Sequence, residues 1–242
     1  MTWFGNDWVT LVVAVPLLIA ALVRVRQGST RGLLLWLGML GYSIYNYAFY
    51  LFGVALNAFF PLYITILILS VTTVILVLSH IDIAEVVTSF APTTPVRIIG
   101  GYLMFVAVTF FVVWLGMWAA YAFAGTPTPI EPEAWKLVAA LDLTMMMPAL
   151  GLGGVLLWRR NGWGYLIAAI AAVQGALYLL VLSVNSVVSI ARGFEEAPGQ
   201  LPVWGTLFVV TAAAATLLLA NVCASESRAT GSAPSVRHRP VL

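Results

Sequence analysis

Residues 137–158 read LVAALDLTMMMPALGLGGVLLW, a run in which Asp142 is the sole charged side chain. At about 1.5 Å per residue, a helix over this run spans the roughly 30 Å hydrocarbon core of a bilayer. An ionised Asp near the middle of such a helix costs about 2.5–3.5 kcal/mol on insertion scales. It is therefore expected to face a protein interior and to have a task. The plainer alternative is an acid that only fastens helices together.

Six similar runs flank this one, and none of them carries an internal carboxylate. Helices are expected at about 8–24, 33–55, 58–79, 98–123, 137–158, 163–190 and 203–223. Stretches rich in Gly, Pro, Ser and Thr separate most of them, such as residues 27–32, 91–95, 125–129 and 197–199. The break near Asn57 and Pro61 is the least distinct. With 62% hydrophobic and 8% charged residues in 242, the chain departs far from the roughly 25% charged content of soluble domains. The expected fold is all-α, a polytopic membrane protein of seven transmembrane helices at the cell membrane. Residues 1–224 form that domain. Residues 225–242, rich in Ser, Ala, Pro and Arg, form a disordered cytoplasmic tail.

Basic residues set the orientation. With the N-terminus outside and the C-terminus cytoplasmic, the inner segments hold Arg24, Arg26, Arg31, Arg97, Arg159, Arg160, Arg228, Arg237 and Arg239. Only Lys136 and Arg192 are left outside. Trp3, Trp8, Trp118, Trp135 and Trp204 then mark the outer interface, Trp36, Trp158 and Trp163 the inner one, and Trp114 alone lies deeper. No basic residue precedes the first apolar run, which reads as an N-out helix and not as a cleaved signal. The inner loop after His80 is expected to begin with a short interfacial helix started by Ser79 and Asp82.

A second polar feature sits in the second run, where residues 42–50 read YSIYNYAFY. Tyrosines at helix ends belong to interfacial belts, but this stretch begins near the midplane, where each hydroxyl needs a partner. Tyr42, Asn46 and Phe49 share one helical face, with Tyr47 and Tyr50 on the neighbouring one. Asn46 and Asp142 fall within about a helical turn of each other in depth. Gln174 near the centre of the sixth run, and Asn185 in its outer half, add two more polar side chains. Pro148 lacks an amide proton, so the Thr144 carbonyl is expected to be unpaired and the helix bent below Asp142. The candidate ligand-binding set is Asp142, Asn46, Tyr42, Tyr47, Tyr50, Thr144, Gln174 and Asn185, gathered in an outer-half pocket. One organisational hint is a repeat of the first three runs in the last three, with Gly32 and Gly162 as matching helix starts.

Several chemistries lack their residues. The only lysine, Lys136, opens the fifth run at its outer end, so a retinal Schiff base has no place. His80 and His238 lie outside the runs and supply no paired haem ligation. Cys223 is the single cysteine, which excludes an intramolecular disulfide and multi-cysteine metal sites. A net charge of +2, spread over short loops, gives no footprint for nucleic acid. No cofactor, resident metal or catalytic residue is expected, and the chain leans away from an enzyme. The expected function is a transporter or channel for a cation, proton or small polar solute, with pH-dependent binding at Asp142. The alternative is a seven-helix sensor or partner-binding protein without transport. Expected partners are the lipid bilayer and a small solute or ion, with a homo-oligomer left open.

Overall fold

A computed structural model describes residues 4–193 and 197–223. The expected tail, Trp3 and the arginines beyond 223 lie outside the described residues. Eight helices account for most of the described residues. Helix α1 runs from Phe4 to Arg26, passing through Phe4–Val9, a widened turn at Thr10–Ala14, and Val15–Arg26. It is followed by α2 (Thr30–Gly53), α3 (Phe60–His80), the short α4 (Ile83–Ser89) and α5 (Val96–Ala124). Helix α6 comprises Pro132–Leu141, a widened turn at Asp142–Met146, and Met147–Trp158. The last two are α7 (Gly162–Ala191) and α8 (Ala197–Ala220).

Six of these helices are long and apolar enough to cross a membrane, as in a polytopic membrane protein. The expected seventh, α2, has the length at 24 residues, but its tyrosines and Asn46 leave it less apolar than the six. Local chemistry sets the ends. Ser29 accepts from the Gly32 amide to start α2, Asn161 accepts from Trp163 to start α7, and Asp82 accepts from Ala84 and Glu85 to start the expected short helix. Gly125 ends α5 in the left-handed region at φ 68°, while Thr126 bonds back to the Ala120 carbonyl. Helix α8 starts earlier than the expected 203, because Pro198 takes its second position, where a missing amide is harmless, and Pro202 is carried inside.

Helix α7 is the axis of the bundle. It packs against α2, α6, α8 and the start of α1, while α3 lies outside α2 and α5 lies against α6. The α5–α6 crossing brings backbones together at Gly100 and Gly154. A Cβ on either glycine would come within 2.8 Å of the other's carbonyl oxygen. Every fully buried residue of α5 lies in its first half, from Val96 to Ala107. At one end of the bundle Arg31 donates to the Ala220 and Val222 carbonyls, and residues 89–91 pair with 221–223. Arg24, Arg26, Arg97, Arg159 and Arg160 cluster by topology at this same end.

The α1–α2 and α6–α7 hairpins are two copies of one design at a constant offset of 132 residues. Widened turns at Thr10–Ala14 and Asp142–Met146 are each followed by a twelve-residue helical half. Pro16 matches Pro148 as the second residue of that half. Gly28 and Arg160 match as the loop residues with positive φ, at 76° and 55°. Ser29 and Asn161 match as caps. Gly32 therefore corresponds to Gly164, not to the Gly162 expected from composition, and Asn46 corresponds to Tyr178.

Candidate functional site

Asp142 sits at the head of the widened turn in α6, where the Met147 amide reaches five residues back to the Asp142 carbonyl. A turn with this i−5 register is rare and commonly marks a functional position. The expected bend below Asp142 is thus accompanied by a widening of the helix at Asp142 itself. The ladder widens ahead of Pro148, so the proline enters at the start of the resumed α-helix, where its absent amide is tolerated.

The Asp142 side chain is 3% exposed and accepts two bonds. Tyr45 Oη donates to Oδ1 at 2.6 Å from α2, and Trp114 Nε1–H donates to Oδ2 at 3.0 Å from α5. One carboxyl group thus joins three helices. Two further rings close around it. Tyr178 stands edge-on to Tyr45 at 4.9 Å, and Trp135 stands edge-on to Trp114 at 5.5 Å. Lys136 is taken up in an exposed ion pair with Glu133, and both donors to the carboxyl group are neutral.

Asp142 opens onto a cavity of about 320 Å³ between α2, α5, α6, α7 and α8 that reaches Asn6 of α1. Its walls are mostly apolar, formed by residues such as Phe49, Val106, Phe110, Met146, Leu150 and Leu207. Among the described residues no Lys, Arg or His lines it. Ile130, Ser189 and Gln200 mark its mouth, at the end of the bundle opposite the arginines. Small-molecule sites have this composition, an apolar chamber with a few placed polar groups.

Of the eight residues singled out in the sequence, four meet at this cavity: Asp142, Asn46, Tyr42 and Asn185. Asn46 is not joined to Asp142. Its Oδ1 accepts from Asn6 Nδ2 at 2.8 Å, and the Tyr42 hydroxyl pairs with Thr10 Oγ1 at 2.9 Å, so both fasten α2 to α1. Tyr47 and Tyr50 lie outside the cavity, clustered with Tyr63, and Tyr50 donates to Asp7 at 2.6 Å. Gln174 is buried beside Gly41 but does not line the cavity. Thr144, two positions beyond Asp142 and so on the far side of the helix, is exposed and donates to the Ala140 carbonyl.

Tyr45, Trp114 and Tyr178 contact or surround the acid and were not in that set. The signal for Tyr45 was present. Tyr42, Tyr45, Asn46 and Phe49 are spaced i, i+3, i+4, i+7, a single helical stripe, and all four are buried. Trp114 was the one tryptophan away from an interface. Nothing in the order of residues pairs it with an acid 28 positions later. Compared with family models, with curated proteins and with solved structures, the chain matches none.

Proposed function

We propose that this chain is an integral membrane transporter or channel that takes a cation into the cavity at Asp142. The observation that carries the reading is a buried carboxyl group on a cavity wall, satisfied only by the neutral donors Tyr45 and Trp114. A cation supplies the counter-charge that the surrounding residues do not. Intramembrane acids with this setting mark ion and substrate pathways. The apolar walls favour a cation over a polyhydroxylated solute, which would leave its hydroxyls without partners.

In the same reading the chain crosses the bilayer seven times, α2 being shielded from lipid by α1, α3 and α7. The N-terminus lies outside, with the arginine-rich end in the cytoplasm, in keeping with the excess of basic residues on the inner side. The paired hairpins suit alternating exposure of a central site, because two similar units can rock against each other.

Purified protein in proteoliposomes tests this with sodium, tetramethylammonium and proton gradients. At least one of these cations shows saturable flux, and Asp142→Asn removes it while helix content and monodispersity stay as in the parent. Equal flux in parent and variant, or none of any cation in the parent, overturns the proposal.

A further inference from the structure

Resting on the cation reading above, we infer that the substrate is an amphiphilic organic cation that enters sideways from the lipid between α5 and α8. Three observations converge on this. The first is the chamber itself, in which a single carboxyl group with Tyr45, Trp114 and Tyr178 around it stands at the wall of an otherwise apolar space. Aromatic faces beside a carboxylate attract an ammonium head, and the remaining walls solvate a hydrocarbon body. A small hydrated ion has no use for such walls.

The second observation is the seam. Helices α5 and α8 border the cavity on its outer side without forming a packed helix–helix interface. Two side-chain latches span the gap. Tyr102 Oη lies 2.5 Å from Thr211 Oγ1, and Phe110 stacks on Trp204 at 6.3 Å with planes 23° apart. All four of these residues line the cavity. Opening the latches therefore opens the chamber directly to whatever lies outside the bundle.

The third observation is what lies outside. Phe105 of α5, three positions beyond Tyr102, is 65% exposed and Val203 of α8, next to Trp204, is 53% exposed, so apolar side chains stand beside the seam on both helices, and Val108, Val112 and Val209 make the outer faces of the two helices apolar as well. In a bilayer that surface meets acyl chains. The half of α5 beyond Ala107 has no fully buried residue, and it is held inward by Phe110 and by Trp114 on Asp142. A cationic head arriving at the carboxyl group competes with the Trp114 bond, which couples occupancy to the position of this half-helix.

The test compares two probes with one head group, tetramethylammonium and octyltrimethylammonium, binding to the full chain in lipid nanodiscs. Phe110→Cys and Trp204→Cys, placed in a Cys223→Ser background, allow the seam to be closed with a short, reducible bis-thiosulfonate linker. Octyltrimethylammonium binds at least tenfold tighter than tetramethylammonium. Cross-linking slows its association tenfold or more, and reduction restores the rate. Thr211→Val, which leaves the cysteines out and removes one latch, speeds association severalfold. Equal affinity for the two probes overturns the amphiphile assignment and leaves the cation site standing. An association rate indifferent to both the linker and Thr211→Val overturns the lateral route alone. Absence of Asp142-dependent binding for either probe overturns the cation reading and this inference together.

Discussion

Thr10 and Asp142 occupy the same place in the two copies of the hairpin, and each holds a tyrosine of α2. Each is the first residue of a widened turn, 132 positions apart. Thr10 Oγ1 lies 2.9 Å from Tyr42 Oη, and Asp142 Oδ1 accepts from Tyr45 Oη at 2.6 Å. Thr10 thus holds a tyrosine of its own hairpin, whereas Asp142 reaches across to α2 of the other copy and faces the cavity beside Trp114. Function in such an arrangement comes from the departure from symmetry.

The two contacts differ in strength. Hydrogen bonds between transmembrane helices average about 0.6 kcal/mol, whereas a bond to a charged acceptor contributes about 1.5–3 kcal/mol. Thr10→Val is therefore expected to lower stability by about 0.5 kcal/mol. Tyr45→Phe leaves Oδ1 without its donor and is expected to cost about 1–3 kcal/mol. Thermal unfolding in detergent reads the difference, and a double-mutant cycle of Tyr45→Phe with Asp142→Asn isolates the pair. A Tyr45→Phe protein as stable as Thr10→Val would show that the acid draws nothing from α2.

The outer half of α5 depends on Trp114. With no fully buried residue beyond Ala107, its position rests on the Trp114 bond to Asp142, the Trp114–Trp135 contact and the Phe110–Trp204 stack. Trp114→Phe keeps a ring but removes the donor. Hydrogen exchange in residues 108–124 is expected to speed up severalfold while exchange in α7 stays unchanged, since local opening follows the loss of local contacts. Uniform acceleration over the whole bundle would place the effect in global stability instead.

The helices were legible because apolar runs of membrane length interrupted by Gly and Pro have few alternatives, although α6 and α8 begin at Pro132 and Ala197, ahead of the expected 137 and 203. The duplication showed in the order of residues only as a hint, with Gly32 paired to Gly162 instead of Gly164, because it resides largely in backbone features. Widened turns, a positive φ at Gly28 and Arg160, and equal helix lengths recur while Thr10, Ser29 and Asn46 become Asp142, Asn161 and Tyr178. At the site, Asp142 was legible as a lone charge in an apolar run. Its partners were less so. Tyr45 lay one position from the chosen Asn46, and a step of 100° around α2 decides which side chain meets α6 and which meets α1. Trp114 is joined to the acid only by the packing of α5 on α6, which depends on Gly100 and Gly154 fitting against each other.

Orientation makes an independent prediction. Single cysteines introduced in place of Glu133 and Arg160, in a Cys223→Ser background, should react with a membrane-impermeant maleimide from opposite sides of intact cells. The cysteine at 133 is labelled from outside and that at 160 only after permeabilisation, as six arginines gathered at one end of the described helices require. Labelling at both positions from outside would invalidate the topology.

The α5–α6 crossing is where packing and site meet, and a pair of substitutions separates the two. A Cβ at position 154 would stand 2.8 Å from the Gly100 carbonyl oxygen and 3.0 Å from the Met104 amide, both backbone atoms that cannot swing aside. Gly154→Ala must therefore push α5 away from α6, at the cost of about 1–3 kcal/mol typical of overpacking. The push also lengthens the reach from Trp114 to Asp142, because α5 carries the donor and α6 the acceptor. Cation binding is expected to fall along with stability. Gly116→Ala on α5 is the control, since nothing lies within 4 Å of a Cβ there. It should be neutral or should stabilise by up to about 1 kcal/mol through a better helix former. Melting temperatures and binding isotherms for the two variants decide the matter. If Gly154→Ala melts and binds like Gly116→Ala, then α5 does not rest on α6 at this crossing, and the placement of Trp114 on the acid loses its support.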